Sequence, residues 1–233
     1  MEVSIIMSSL VDQISAAGLA DRFLNDRQLA ELLGGSDARR YGLVNRALKD
    51  GSLIRLKRGC YVLARRYRRY PVHPFAVAQN LVPGSYISFE TALSFHGWIP
   101  EAVFVTASVS PGRKSQDFST TGFGTFSYHP LAINDYRFMT SVDRVPLNGS
   151  IAFVAQPLRA LMDLVALRKV EWSGLDWLTV GMRIEEDALF GLRRKDFTAL
   201  KPVYKHKAAN AFLRALEGAV MPLGRLSDLE VRT

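Results

Sequence analysis

One cysteine, Cys60, occurs among 233 residues. An intrachain disulfide is therefore excluded, as is a zinc site built from four cysteines or from paired cysteines and histidines, which suits a reducing compartment. Long apolar runs are also missing. The most apolar late segment, IAFVAQPLRALMDLVAL, is broken by Pro157, Arg159 and Asp163 and is too short to span a bilayer. The start, MEVSIIMSSLVDQ, lacks the basic region and long apolar segment of a signal peptide. These absences predict a soluble, cytoplasmic chain with no membrane partner.

Signatures of catalysis are lacking as well. Metal-dependent nucleases of the restriction type use clustered carboxylates with a nearby Lys, commonly as Asp followed by Glu-x-Lys, and no Glu-x-Lys occurs. A nucleotidyltransferase needs a Gly-Ser helix start followed by Asp-x-Asp; Gly35-Ser36 is present, but Asp-x-Asp is not. No glycine-rich phosphate loop of Walker type is found. The histidines, His73, His96, His129 and His206, are scattered. His96 before Gly97 suits a helix C-terminus better than acid-base work with Glu90. The expectation is no catalytic residue, no metal and no cofactor.

What the sequence does have is positive charge in one place. The net charge is +8, yet Ser36–Tyr70 alone holds eleven Lys and Arg against Asp37 and Asp50, a local balance of +9. Charge gathered in this way attracts a polyanion, whereas an even spread mostly serves solubility.

The local pattern indicates which polyanion. LNDRQLAELLGG reads as a short helix capped by Asn25 or Asp26 and stopped by Gly34-Gly35. Ser36 or Asp37 caps a second helix with an apolar stripe of Leu43, Val44, Ala47 and Leu48, while Arg39, Asn45, Arg46 and Lys49 fall on the opposite face. SLIRLKRGCYVLA follows as a hairpin turning at Lys57-Arg58-Gly59. With SSLVDQISAAG as a preceding helix, this is the order of a winged helix-turn-helix. The second helix suits a major groove, where Arg39, Asn45, Arg46 and Lys49 reach bases or phosphates. Lys57 and Arg58 at the hairpin tip, with Arg65, Arg66, Arg68 and Arg69 beyond it, suit flanking phosphates or a minor groove. A merely solvated charged face is the plainer alternative.

Around YPVHPF, Pro71 and Pro74 mark a boundary. The expected fold is mixed α/β (α+β): a winged helix-turn-helix domain over 1–72 and a larger mixed α/β domain over 73–233. In the second domain Phe89 to His96 reads as a helix closed by Gly97. VFVTASVSP, GFGTFSYHPL, YRFMTS and Ile151 to Val154 read as strands, and Pro157 opens a helix. Phe104, Phe123, Phe126, Trp98, Trp172 and Trp177 are expected in the core. LFGLRRKDF and AANAFLRALEGAV read as amphipathic helices. The tail charges, acidic at Glu185 to Asp187 and basic from Arg193 to Lys207, are read as solvated, with a second polyanion surface as the alternative.

YISFETALSFHGWIPE, VFVTASVS and IAFVAQPLRALMDL resemble characteristic segments of the AbiEi-type antitoxins of bacterial AbiE toxin-antitoxin and abortive-infection systems. The resemblance runs from about Asn25 through Leu167 and includes the RLKRGCYVL hairpin. It implies a DNA-binding domain that represses its own operon at inverted repeats in double-stranded DNA. It also implies a C-terminal domain that neutralises a cognate nucleotidyltransferase-like toxin without a stable complex. By carry-over, the DNA contacts fall on Arg39, Arg40, Arg46, Lys49, Lys57 and Arg58; such a protein is cytoplasmic and joins the nucleoid when bound. RRYRRY is heavier in charge than the family pattern requires. Two other readings stay open: a ligand-responsive winged-helix transcription factor, and a nucleic-acid-modifying enzyme with a DNA-binding domain.

Overall fold

The computed structural model describes residues 9–147 and 149–221, so the beginning of MEVSIIMSSLVDQ lies outside the described residues. The fold is mixed α+β. The chain divides into two compact units. The first holds the chain up to Pro83 with Ser119–Gly124 and Pro146–Ile151; the second holds Gly84–Phe118, Thr125–Val145 and the chain from Ala152 onward.

In the first unit, α1 (Leu10–Ala16) starts at a reciprocal cap between Ser9 and Asp12. A two-residue strand, β1 (Leu24–Asn25), leads into α2 (Asp26–Leu33), where Asn25 and Gln28 exchange the same pair of bonds. Gly34, at φ +56°, ends α2 in a conformation that other residues adopt only with strain. Ser36 caps α3 (Asp37–Lys49), and the hairpin β2 (Leu53–Lys57) and β3 (Cys60–Leu63) follows. The three strands lie in the order β1-β3-β2, both pairings antiparallel, with a register shift between Arg55 and Lys57. Leu10, Ile14, Leu24, Leu29, Leu33, Leu43, Ala47, Leu53, Tyr61 and Leu63 form one core beneath the helices.

This unit runs past the boundary expected at 72/73. Pro74 opens α4 (Pro74–Leu81) rather than a linker, with His73 as N-cap, and Phe75, Ala76, Val77, Ala78 and Leu81 are buried.

The remaining chain builds β4 (Tyr86–Ile87), α5 (Phe89–Phe95), β5 (Val105–Val109), β6 (Gln116–Thr120), β7 (Gly124–His129), β8 (Val142–Leu147), β9 (Ser150–Ala155), α6 (Pro157–Arg168), α7 (Glu186–Phe190), α8 (Arg194–Leu200) and α9 (Lys207–Val220). A six-stranded sheet has the order β6-β7-β5-β4-β9-β8. β4 is antiparallel to β5 and parallel to β9, while β5 and β7 are parallel. Helix α5 packs on β5 and α6, and α9 packs on α6.

Three expectations are corrected in the second unit. YRFMTS is not a strand: it forms successive turns, and the carbonyls of Arg137, Phe138 and Thr140 are taken by the buried Arg159 guanidinium rather than by a neighbouring strand. LFGLRRKDF is not one helix. Helix α7 ends at Phe190, and α8 restarts at Arg194 after an extended Arg193 whose N–H donates to Asp196 at 2.9 Å. Phe104 is not core but 90% exposed. Phe126 is fully buried, Phe123 and Trp98 partly so, and Trp172 and Trp177 meet the ring of Phe212 edge-on.

Candidate nucleic-acid interface

The expected contact residues all lie in the first unit, but they are not equally available. Helix α3 is amphipathic because Leu43 and Ala47 are buried with Val44 and Leu48 packed beside them, which turns the opposite side outward. Arg39 folds back across the Gly34-Gly35 turn, and its Nη1 donates to the Leu33 carbonyl at 2.9 Å. It thus satisfies one of the free carbonyls at the end of α2. Arg40 is half-buried and pairs with Asp37. Arg46 is exposed, with a long Nε contact to the Gly42 carbonyl at 3.4 Å, and lines a shallow groove with Ser9, Leu10 and Val11 of the α1 region. It occupies the α1 flank of the outward face. The side chains of Asn45 and Lys49 make no hydrogen bond or ion pair among the described residues.

In the hairpin, Lys57 and Arg58 separate. Lys57 is half-buried, and its Nζ donates to the Leu81 carbonyl at the end of α4, where a cation also complements the helix dipole. Arg58 is exposed at the tip beside Gly59. Gly59 has φ +74°, a backbone conformation that favours glycine, and a Cβ there would stand 3.1 Å from the Asp26 carboxylate, which would have to give way. That carboxylate also meets the Tyr61 phenol, whose pKa is raised by burial and then by Asp26.

The RRYRRY segment is built into the unit rather than extended from it. Arg65–Tyr67 forms a single 3-10 turn, and Arg65 Nη1 closes onto the Arg68 carbonyl at 2.7 Å. The Asp21 carboxylate accepts from the backbone N–H groups of Arg69 and Tyr70. Arg68 is half-buried: burial weakens its hold on the proton, Asp21 opposes that and Arg65 adds to it. Tyr70 lies against Gly149. Arg66 stacks over the Tyr67 ring at 4.8 Å, and its charge also helps to hold the Asp50 carboxyl below the usual carboxylate range, after the hydrogen bonds that carboxyl accepts from Ser52. Arg66 and Arg69 are exposed.

Within Ser36–Tyr70 the outward cations available to phosphate are therefore Arg46, Lys49, Arg58, Arg66 and Arg69, and Arg55 of β2 joins them. Tyr41, 72% exposed on α3, carries no charge and so escapes a reading based on charge pattern. Its position one turn before Asn45 is the only sequence signal for it. Such a surface can neutralise a phosphate backbone and present an uncharged hydrogen-bonding side chain to a groove.

In the second unit two of the segments that carry the family resemblance, YISFETALSFHGWIPE and IAFVAQPLRALMDL, meet Tyr204 in a buried polar network. Arg159 and Asp163, one turn apart on α6, are both 0% exposed and pair at 2.9 Å. Asp163 also accepts from Tyr204 OH at 2.7 Å, Ser88 Oγ at 2.7 Å and Tyr86 OH at 2.9 Å. Burial works against the Arg159 charge, but Asp163 and the two phenols outweigh it and hold its proton more tightly than usual. Burial and then Asp163 push both phenols well above their ordinary pKa. Both Asp163 oxygens accept from protein donors and the pair is closed to solvent, which makes this a structural fastening. His96 likewise bonds the Ala155 carbonyl at 2.9 Å, and Glu90 pairs with Arg168. Among the described residues no group of three His, Cys, Asp or Glu gathers to hold a metal, and no helix is long and apolar enough to cross a membrane. An open groove of about 570 Å³ lies in this unit, lined by Phe89, Ile99, Phe104, Val105, His129 and Leu164 among others.

No protein-family model matches the sequence, and no curated protein matches it. Among solved structures, the chain is similar in fold to the crystal structure of the Rv2827c protein from Mycobacterium tuberculosis, with a TM-score of 0.56 at 12% identity over 91% of this chain and 77% of that one.

Proposed function

We propose that the protein is an AbiEi-type antitoxin: a winged helix-turn-helix first unit binds inverted repeats at its own promoter, and the second unit neutralises a nucleotidyltransferase-like toxin. The observation that carries the DNA-binding half is that α3 and the Arg58 tip, with Arg46, Lys49, Arg55, Arg66 and Arg69, offer six exposed cations around a helix flank, outnumbering the acids nearest them, Asp21, Asp26, Asp37 and Asp50. Support for the antitoxin half is the resemblance itself. Its three quoted segments supply Tyr86 and Ser88, then β5, then Arg159 and Asp163 of one fastened core. The role is regulatory and non-enzymatic, in the cytoplasm and on the nucleoid, and neutralisation proceeds without a stable complex.

The test has two arms. The full chain is titrated against the duplex upstream of its own reading frame and against a scrambled duplex, and it is co-expressed with the neighbouring toxin gene. Salt-sensitive, sequence-selective binding and rescue of growth are expected. Absence of duplex binding removes the repressor role, and absence of rescue at equal protein level removes the antitoxin role. The groove of about 570 Å³, within the range of small-molecule sites, with the exposed Phe104 at its rim, favours a ligand-responsive regulator as the second reading. Metabolite-dependent release of DNA would distinguish it.

A further inference from the structure

Two facts fix what α3 offers to a groove: which side chains point outward, and which of those are already engaged. At about 100° per residue, taking Ala38 as 0°, Asn45 lies near −20°, Lys49 near +20°, Gly42 near +40° and Tyr41 near −60°. Arg46 lies at about +80°, and the buried Leu43 and Ala47 at about 140° and 180°. The centre of the outward face is thus Ala38, Gly42, Asn45 and Lys49, with Tyr41 on one flank and Arg46 on the other.

Reading guanine requires a free Arg or Lys aimed at its O6 and N7 edge. No arginine occupies the centre of this face. Arg39 is spent on the Leu33 carbonyl, Arg40 is half-buried against Asp37, and Arg46 flanks the groove beside α1. Lys49 is the last residue of the helix, away from the N-terminal part that enters deepest. The Asn45 carboxamide is half-buried too but, unlike Arg40, has no hydrogen-bond or ion-pair partner among the described residues and stands at the centre. Asn presents one donor and one acceptor side by side, matching N7 and N6 of adenine. One turn earlier, a Cβ built on Gly42 would meet nothing within 4 Å and the Tyr41 side chain is 72% exposed; two turns earlier, Ala38 is exposed. Small residues let the helix backbone sit deep in the groove, and a methyl or ring face there meets the thymine methyl group.

We infer that α3 reads an A·T-rich operator core, with Asn45 as the specificity-determining residue against adenine and Ala38 and Tyr41 against thymine methyls, while Arg46 and Lys49 hold phosphates. The inference rests on the DNA-binding reading above and adds the sequence class of the operator.

The experiment selects binders for the full chain from a duplex library with a randomised core of about two helical turns, at low and raised salt. Selected half-sites should share an adenine flanked by A·T pairs. Asn45→Ala should retain duplex binding and thermal stability but lose discrimination for that adenine by about 5- to 150-fold, the range one bidentate base contact supplies. Asn45→Gln, which keeps both hydrogen-bonding groups, should restore part of it. Arg46→Ala should weaken selected and scrambled duplexes alike. Half-sites centred on guanine, or unchanged discrimination in Asn45→Ala, overturn the inference while leaving DNA binding intact. Failure of the wild-type chain to bind any duplex in a salt-sensitive way overturns the DNA-binding reading and the inference with it.

Discussion

Replacing Asp163 by Asn keeps the shape of the side chain and removes one charge from a site closed to solvent. In the native protein the carboxylate faces the Arg159 guanidinium at 2.9 Å and receives three hydroxyl donors, from Tyr86, Ser88 and Tyr204. Asn can accept at only one of its two positions. The hydroxyls can turn to suit the new amide, but the guanidinium cannot lose its proton, so it remains as an uncompensated buried charge. Removing one partner of a buried pair costs about 3–5 kcal/mol. With a urea m-value of about 2 kcal/mol/M, inside the usual range, the unfolding midpoint of the second unit should fall by about 2 M. Trp98, Trp172 and Trp177 all belong to that unit, so tryptophan fluorescence reads it directly. Arg159→Met should destabilise to a similar degree, and the double variant Arg159→Met/Asp163→Asn should lose clearly less than the sum of the two. A midpoint shift in Asp163→Asn below about 0.5 M, or strict additivity in the cycle, would show that the pair is not the fastening described.

Three further outcomes follow from the first unit. Lys57→Ala should lower its stability by about 1.5 kcal/mol through loss of the charged bond to the Leu81 carbonyl, with the salt dependence of duplex binding unchanged, as checked by denaturation and salt titration. Arg58→Ala should do the reverse, leaving stability as it is and reducing the salt slope by about one. His73 caps α4 by accepting from the Phe75 N–H at 3.2 Å, and burial holds its pKa below the usual 6.5. The unfolded chain therefore takes up this proton first. The stabilisation is complete above pH 6.5 and is lost as the pH falls from there through the lower folded value. Amide exchange at the start of α4 should accelerate over that interval, and His73→Asn, which caps without titrating there, should abolish the dependence.

The parts of this fold legible in the sequence are those decided within one turn of chain. Asn25, Ser36, Gly34, Gly97 and Pro157 mark real element ends because caps, positive-φ glycines and an N-terminal proline act within one turn of chain. The parts that were not legible depend on distant partners. β1 exists because Leu24 and Asn25 pair with Tyr61 and Cys60, and nothing in a two-residue segment announces that. YRFMTS has a strand's composition, but a guanidinium from α6 claims its carbonyls. Pro71 and Pro74 punctuate the chain as linkers do, yet the second proline starts a buried helix. The candidate interface divides in the same way. The outward face of α3 was legible from periodicity; that Arg39 and Lys57 each end on a helix carbonyl was not, because sequence gives the position of a charge and not its acceptor.

The middle of the six-stranded sheet is β4, only two residues long, and what fastens it arrives late. Tyr86 donates to Asp163, 77 residues further along the chain, and Ile87 aligns with Val154. At about 5–20 residues per second, a ribosome takes roughly 4–15 s to supply that stretch. For that time the apolar edges of β4 and β5 and the hydroxyls of Tyr86 and Ser88 are made but not yet matched. A growing chain of this protein therefore has a defined interval of vulnerability, in which a chaperone or a protease would meet the second unit as an open half-sheet, and which closes when α6 leaves the exit tunnel.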